Sequence, residues 1–209
     1  MPDIQTVTYP NGKQLLVACS NKSGSSTAIT MIGYPLMGVF KYRDDRLPLI
    51  KSGVWKERNI RGITPTEWEN IPVRIAIIRD PVKRFVSSYR DRVLNKNKDK
   101  VKSFVTDFDY YINNIDEVRF KSKDIRNHTK TQVSSIGNDP SKYTHIILTD
   151  NMNTELIPLI EQVSEVPSVP VSYHKMSKKA PKVVPSNEQV KKIKKLFKED
   201  YDAYGKWFD

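Results

Sequence analysis

The sequence predicts an α/β fold, a three-layer sandwich around a central, mainly parallel β-sheet. Three extended apolar runs, "QLLVACS", "VRIAIIR" and "THIILTD", alternate with amphipathic stretches, which is the pattern of strands joined by helices. The second run is apolar at nearly every position from Val73 to Ile78, as expected of a strand buried on both faces. We therefore place that strand at the centre of the sheet.

Capping residues and apolar periodicity predict the helices. In "TPTE", Thr64 and Glu67 form a capping box with a proline in the first turn, which predicts a short helix. Asp80 and Pro81 predict the start of a second helix in the same way. Further helices are predicted over "VKSFVTDFDYYINNI", "NTELIPLIEQV" and a last segment that begins at "SNEQV".

Length and charge limit the classes of function. The 209 residues are most simply one domain, 1–209, and the formal net charge of +11 indicates an anionic partner such as a nucleotide, a nucleic acid or an acidic glycan. Cys19 is the lone cysteine, so no intramolecular disulfide framework is predicted, and no zinc-site spacing occurs. No apolar stretch has the length of a signal peptide or a membrane span, so we expect a soluble, cytoplasmic protein.

The stretch "NKSGSST" follows the first apolar run and is typical of a phosphate-binding turn. Gly24 permits a close backbone approach, Ser25, Ser26 and Thr27 supply hydroxyl donors, and Lys22 supplies a positive charge. The Walker A loop has its lysine after the last glycine, so this turn does not have the pattern of a nucleoside triphosphate site. Taken alone, the turn is equally well explained as an ordinary helix N-cap.

A second basic motif, "RDPVKRFVSSY", stands at the end of the buried strand. Arg79 is expected at the carboxyl edge of the sheet, where α/β folds bind ligands. Ser87 follows about 9 Å along the predicted helix, so both side chains are predicted to bind one phosphate. The alternative for Arg79 is a salt bridge with Asp80 or another carboxylate. Arg84 either supports this site or lies exposed on the other side of the helix.

Together the two motifs resemble the Golgi-type carbohydrate sulfotransferases. "RDPVKRFVSSY" is similar to the 3′-phosphate-binding element of that family, RDPxxRxxSxY, and "NKSGSST" is similar to its 5′-phosphosulfate loop, in which a lysine precedes small and hydroxyl residues. "NHTKTQ", "YTHIILTDNMNTELIPLI" and "DYDAYGKWF" follow in the order of the family. The resemblance covers most of the chain from about residue 14 onward.

The resemblance implies a P-loop-kinase-like sulfotransferase fold and 3′-phosphoadenosine 5′-phosphosulfate (PAPS) as donor, with no metal. The lysine would precede the glycine because the loop holds a phosphosulfate rather than a magnesium-bound triphosphate. Lys22 would also be catalytic, since it would stabilise charge on the leaving nucleotide. The 3′-phosphate would be bound by Arg79 and Ser87. The residues assigned to the 5′-phosphosulfate are Lys22, Ser23, Gly24, Ser25, Ser26 and Thr27.

Sulfuryl transfer needs a general base, and His128 in "RNHTKTQ" is our prediction. A polar stretch suits a loop at a site, and histidine titrates near neutral pH. A packing or hydrogen-bonding role is the alternative for His128. His145 lies in a predicted strand and is interpreted as structural, whereas His174 lies in a basic loop. The carboxylates that also stay open as the base lie between the two phosphate motifs: Asp44, Glu57 and Glu67.

The departures from the family concern location and acceptor more than donor. The chain lacks the disulfide cysteines of the Golgi relatives, and Asn21 stands where a proline is usual, which suggests a short, soluble bacterial or viral form. We expect a carbohydrate or other hydroxyl compound as acceptor, and no membrane partner. The aromatic residues considered for sugar stacking or core packing are Tyr42, Trp55 and Trp68.

Two other functions stay open. A P-loop-like, ATP-dependent phosphotransferase is disfavoured by the order of lysine and glycine in the turn. A nucleic-acid-binding protein is suggested by a pI of 9.6 and a lysine-rich last helix, but no nucleic-acid-binding motif accompanies that charge.

Overall fold

The computed structural model describes residues 4–37, 50–58, 63–95, 103–167 and 180–208. Asp44, Tyr42 and His174, which the sequence singled out, lie outside these ranges. The chain divides into two compact units, one formed by Met1–Ile78 with Gln132–His174 and the other by Arg79–Thr131 with Lys175–Asp209. The expectation of a single domain stays a prediction. Across the described residues, no helix combines the length and apolar character needed to cross a membrane.

The first unit contains a mixed five-stranded sheet. Its strands are β1 (Ile4–Thr8), β2 (Gln14–Cys19), β3 (Trp55–Arg58), β4 (Val73–Ile78) and β5 (His145–Leu148), in the order β3-β1-β2-β4-β5. β2, β4 and β5 pair in parallel, whereas β1 pairs antiparallel with both β2 and β3. The α/β class is confirmed. The expected "mainly parallel" sheet is corrected to a mixed one, and β2 rather than β4 holds the middle position.

The antiparallel part arises from a short hairpin that the apolar runs did not reveal. β1 and β2 are joined by Tyr9–Lys13, where the Tyr9 N–H donates to the Lys13 carbonyl at 2.9 Å and Gly12 has a φ of 80°. So short a connection permits only antiparallel pairing. β1 and β3 are partly polar, so neither forms the continuous apolar run by which the other three strands were recognised.

The core of the first unit lies on one face of the sheet. Helix α1 (Ser25–Met37) and a later helix, Ile157–Ser164, place apolar side chains against β2, β4 and β5. Ile75 and Ile77 face this cluster, and Ala76 and Ile78 on the other face are equally buried, which confirms that β4 is covered on both sides. The Ile157–Ser164 helix follows a π-helical turn and carries its proline in the first turn, where no N–H is needed.

Two of the other helices begin at the predicted capping boxes. Pro65–Asn70 has the Thr64–Glu67 capping box, and Asn187–Leu196 has the same box between Ser186 and Gln189. The helices are α1, α2 (Pro65–Asn70), α3 (Pro81–Tyr89), α4 (Phe108–Asn113), α5 (Ile115–Lys121), α6 (Lys123–Thr129), α7 (Val133–Ile136), α8 (Ile157–Ser164), α9 (Asn187–Leu196) and α10 (Lys198–Tyr204).

The second unit packs α3 to α6 and α9 around an aromatic core that includes Phe85, Tyr111 and Phe197. α3 continues as a π-helical segment, Arg90–Asn95. The helix expected over "VKSFVTDFDYYINNI" begins only at Phe108, because the Asp107 carboxylate accepts a hydrogen bond from the Tyr110 N–H at 2.7 Å and caps the chain there.

Candidate functional site

The turn between β2 and α1 has an uncommon backbone. Lys22 has a φ of 67° and Gly24 a φ of 80°, so a lysine occupies the left-handed region that normally favours glycine. The first α-helical hydrogen bond runs from the Ala28 N–H to the Gly24 carbonyl at 2.9 Å. The preceding N–H groups at the helix start are therefore not used within α1, and such groups form an anion-binding site.

Gly24 is favoured by its positive φ, and a side chain there would also displace its neighbours. A Cβ atom at this position would lie 2.5 Å from Met152 Cε and 3.1 Å from Thr149 Cγ2. The expected close approach of a ligand to the Gly24 backbone stays a prediction. Thr149 is itself fixed, since its hydroxyl donates to the Ile78 carbonyl at 3.0 Å.

Ser23 points into the protein. Its side chain is fully buried, and its hydroxyl donates to Gln132 Oε1 at 3.0 Å and lies 2.9 Å from the Ser20 hydroxyl. Ser25 and Ser26 are half-buried at the start of α1, while Thr27 is buried. The hydroxyls at the two half-buried positions are thus better placed for a ligand than that of Ser23.

Arg79 and Ser87 lie in the second unit, where Arg79 precedes the Asp80 N-cap of α3 and Ser87 lies in the last turn of that helix. Asp80 caps this helix as predicted, because its Oδ1 accepts a hydrogen bond from the Lys83 N–H at 2.8 Å. Its other oxygen accepts one from the Tyr201 hydroxyl at 2.9 Å. Arg79 and Ser87 are both half-buried, and their joint binding of one phosphate stays a prediction.

Arg84 is buried. The interpretation that placed it exposed on the other side of the helix is therefore wrong. Its side chain is 1% exposed and lies 3.7 Å from the Asp200 carboxylate, also buried. The guanidinium donates to the Lys130 carbonyl at 2.5 Å and stacks on Phe197. Burial lowers the pKa of Arg84 to about 10, although Asp200 opposes this. α10 therefore contacts α3 through Asp200, beside Arg84, and its N-cap Asp80 through Tyr201.

Both ring nitrogens of His128 lie within hydrogen-bond distance of neighbouring groups. Nε2 lies 2.6 Å from an Arg92 guanidinium nitrogen, and Nδ1 lies 2.7 Å from the Asp124 carbonyl. A guanidinium only donates and a carbonyl only accepts, so Nδ1 carries the proton and Nε2 carries the lone pair. Arg92 also pairs with the Asp91 and Asp124 carboxylates, each at 3.2 Å.

The other candidates have structural contacts. Glu67 accepts hydrogen bonds from the Thr64 N–H and hydroxyl in the capping box, at 3.0 and 3.2 Å. Trp55 is fully buried and donates to Gln5 Oε1 at 2.7 Å, which is a core packing role. Trp68 packs edge-on against Tyr143, and His145 lies at the exposed start of β5. Among the described residues, no group of three or more His, Cys, Asp or Glu side chains is arranged to hold a metal ion.

Comparison with known families decides the class of protein. A model described as "Sulfotransferase family" matches residues 63–207, well over half of the chain. The chain belongs to the sulfotransferase family. It is accordingly an enzyme that transfers a sulfuryl group. No curated protein and no solved structure matches the chain. The matched residues include Arg79, Ser87 and His128, whereas the Lys22 turn precedes them.

Sequence reasoning missed the residues that support this site. Gln132, Tyr201 and Asp200 contact predicted site residues, or the helix that carries them, from distant positions in the chain. The only sequence signals near them were "NHTKTQ" and "DYDAYGKWF", which were noted as segments in the order of the family and without individual roles.

Proposed function

We propose that this sulfotransferase uses PAPS as donor and transfers its sulfuryl group to a hydroxyl or amine, with a carbohydrate hydroxyl as the first candidate acceptor. The observation that carries the proposal is the Lys22 turn. A lysine in left-handed backbone at the start of a helix is a costly arrangement, and such strain is retained mainly at functional sites. Helix N–H groups and a lysine are the groups that a phosphosulfate would need.

Lys22 would act on the leaving nucleotide. The acceptor oxygen attacks the sulfur, and the bond between sulfur and the bridging oxygen breaks as the new S–O bond forms. The bonding electron pair stays on the bridging oxygen, which becomes a phosphate oxygen of 3′-phosphoadenosine 5′-phosphate (PAP). Lys22 and the N–H groups at the start of α1 would stabilise this developing charge. Ser25 and Ser26 would hold the sulfate and phosphate oxygens.

Arg79 and Ser87 would bind the 3′-phosphate of the donor. An arginine makes charge-assisted hydrogen bonds to phosphate, and a hydroxyl adds a neutral one. Asp80, the residue after Arg79, accepts hydrogen bonds from the Lys83 N–H and the Tyr201 hydroxyl. These two bonds fix the backbone next to Arg79. This site would distinguish PAPS from ATP, which has no 3′-phosphate.

His128 would be the general base. The proton on Nδ1 is held by the Asp124 carbonyl, so the lone pair lies on Nε2, as a base acting through that nitrogen requires. The acceptor hydroxyl would replace the Arg92 N–H at Nε2 and pass its proton there. Released from that bond, Arg92 would still pair with its two carboxylates.

Nucleotide binding tests the proposal directly. Calorimetric titration of the whole protein with PAP, with adenosine 5′-phosphate and with ATP and magnesium is expected to show clear preference for PAP. Transfer of labelled sulfate from PAPS to a panel of monosaccharides, oligosaccharides and tyrosine peptides then identifies the acceptor class. Preference for ATP would support a phosphotransferase instead. Salt-sensitive binding to random DNA without a response to PAP would support a nucleic-acid-binding protein.

A further inference from the structure

We propose that Gln132 is a positioning residue, which holds the Lys22 turn in its working conformation through Ser23. The inference rests on the proposed function of that turn. Gln132 and Ser23 are separated by 109 positions in the sequence, and both side chains are fully buried. Their hydrogen bond at 3.0 Å is therefore a tertiary link between the turn and a distant segment of the same unit.

The hydrogen bonds among the side chains of Ser20, Ser23 and Gln132 have one order of donors and acceptors. The Ser23 hydroxyl has one proton, which it donates to Gln132 Oε1. The Ser20 hydroxyl, 2.9 Å from that of Ser23, must then donate to Ser23. The Ser23 N–H donates in turn to the Ser20 carbonyl at 3.2 Å. Ser20 and Ser23 stand on either side of the two residues Asn21 and Lys22, so their hydrogen bonds and the bond to Gln132 close the turn around Lys22.

Gln132 is itself well anchored. Its carbonyl accepts hydrogen bonds from the Ser135 and Ile136 N–H groups, each at 2.8 Å, at the start of α7, and α7 packs against β2. The Ile136 carbonyl accepts a bond from the buried Tyr143 hydroxyl at 2.6 Å. The backbone of Gln132 therefore has a fixed position, and from it the fully buried side chain presents Oε1 to the Ser23 hydroxyl.

The hydrogen bond between Ser23 and Gln132 affects Lys22 because the backbone of the turn is strained and would relax without it. Lys22 is in the left-handed region, so relaxation of the turn would carry its side chain to a new direction. Gly24, two residues further on, also has a positive φ, which a residue with a side chain would adopt only with strain. A misplaced Lys22 would stabilise the leaving oxygen less well in the transition state, while donor binding through the rest of the site would be little changed.

Three variants test the link: Ser23→Ala, Gln132→Met and the double variant. Each single variant is expected to lower kcat by about tenfold to a hundredfold, with a much smaller change in the KM for PAPS. The fall in kcat of the double variant should be no larger than that of the more impaired single variant, because both changes remove the same hydrogen bond.

Ser135→Ala is the matched control. Ser135 is fully buried in α7, three residues from Gln132, and its hydroxyl makes no hydrogen bond within the described residues. Its removal should leave kcat unchanged. Equal losses for Ser135→Ala, or additive losses for the two single variants, would show a general packing effect and would overturn the proposal. Should Gln132→Met fail to fold, Ser23→Ala removes only a hydroxyl and answers the same question.

Amide hydrogen exchange separates this inference from the proposed function. Without the link, the amides of residues 22–24 should exchange about fivefold faster, since a single hydrogen bond contributes about 1 kcal/mol. This measurement needs no PAPS. A wild-type protein without PAPS activity would contradict the proposed function, while unchanged exchange in Ser23→Ala would contradict the role of Gln132 whatever the donor is.

Discussion

The Lys22 turn and helix α3 are stabilised by different kinds of bond. The turn is fixed by a chain of neutral groups, the hydroxyls of Ser20 and Ser23 and the amide of Gln132. α3 is fixed by ionised groups, since Asp80 bonds to Tyr201 and Asp200 lies beside Arg84. Both segments are proposed to hold a phosphate of the same donor, but their supports are built from different chemistry.

The difference follows from what each segment is proposed to do. Lys22 would act on charge that grows during the reaction, and a neutral support fixes its backbone without adding a negative charge to the turn. α3 would hold a phosphate whose charge does not change, so carboxylates can serve as supports there. The Arg84–Asp200 pair is fully buried, and removing one partner of such a pair is strongly destabilising. We therefore expect changes in the turn to alter rate, and changes around α3 to alter affinity and stability.

The largest effect is expected for Lys22→Ala. Loss of a group that stabilises transition-state charge typically lowers kcat by about a hundredfold to a thousandfold. The thermal melting temperature should hardly change, because a left-handed lysine contributes strain rather than stability. Steady-state kinetics and a thermal melt check both parts.

Lys13→Ala is the control for Lys22→Ala. Lys13 is an exposed lysine of the same unit that pairs with Glu165 on the surface, so its removal should leave kcat unchanged. Near-normal turnover in a folded Lys22→Ala protein would show that the turn does not hold the reacting group.

The next effect is expected for His128→Ala, which should lower transfer by about a hundredfold while PAP affinity changes by less than about twofold. A base contacts the acceptor and not the donor. The comparison variant is Arg92→Lys, which removes the guanidinium from Nε2 but keeps a positive charge beside the Asp91 and Asp124 carboxylates, and should preserve or raise the rate. A loss of PAP affinity in His128→Ala, or equal rate losses in the two variants, would assign His128 to a structural role beside Arg92.

Local signals made much of the fold predictable. The caps at Thr64, Asp80 and Ser186 are confirmed because each joins residues three apart in the sequence. The predicted strands β2, β4 and β5 are confirmed. They could be predicted because strands inside a covered sheet need continuous apolar runs. β1 and β3 were missed, since their pairing is set by partners elsewhere in the chain and their own residues are partly polar.

The site was less predictable than the fold, because its supports are tertiary. The inward direction of Ser23 depends on Gln132, and the burial of Arg84 depends on Asp200 and Phe197. The helical periodicity of α3 indicates on which side of the helix Arg84 lies. It does not indicate which residues of other helices pack against that side. A hydroxyl or a guanidinium in a motif can serve a ligand or the fold, and its direction decides between them.

A more moderate effect is expected for Arg79→Ala, at the proposed 3′-phosphate site. Hydrogen bonds to charged groups contribute about 1.5 to 3 kcal/mol each, so PAP affinity should fall by at least about tenfold. Affinity for adenosine 5′-phosphate should hardly change, since it lacks the 3′-phosphate. Calorimetric titration of both nucleotides makes the comparison, and Lys83→Ala, at an exposed position on the same helix, is the control. Equal losses for both nucleotides would mean that Arg79 supports the fold or another phosphate.

The smallest effect is expected for Tyr201→Phe, which tests whether the ionic support of α3 reaches the proposed phosphate site. The change removes the hydroxyl that donates to Asp80 Oδ2 but leaves the bond from the Lys83 N–H to Oδ1. The start of α3 should loosen only in part, so PAP affinity should fall by about threefold, the value of a hydrogen bond near the low end of the usual range. Tyr110→Phe is the matched control, because Tyr110 donates to a carboxylate, Glu117, elsewhere in the same unit.

The pH dependence of the Tyr201 bond sharpens this last test. Burial raises the pKa of Tyr201 above its ordinary value, and the hydrogen bond to Asp80 raises it further. A raised tyrosine pKa means that the folded state keeps its proton to higher pH than the unfolded state. The stabilisation is therefore complete below about pH 10 and is lost as pH rises above that value. The difference in unfolding free energy between wild type and Tyr201→Phe should be constant from pH 7 to 9, measured by urea denaturation, and should shrink above pH 10. A difference that already shrinks near neutral pH would show that another titrating group, and not the Tyr201 hydroxyl, carries the effect.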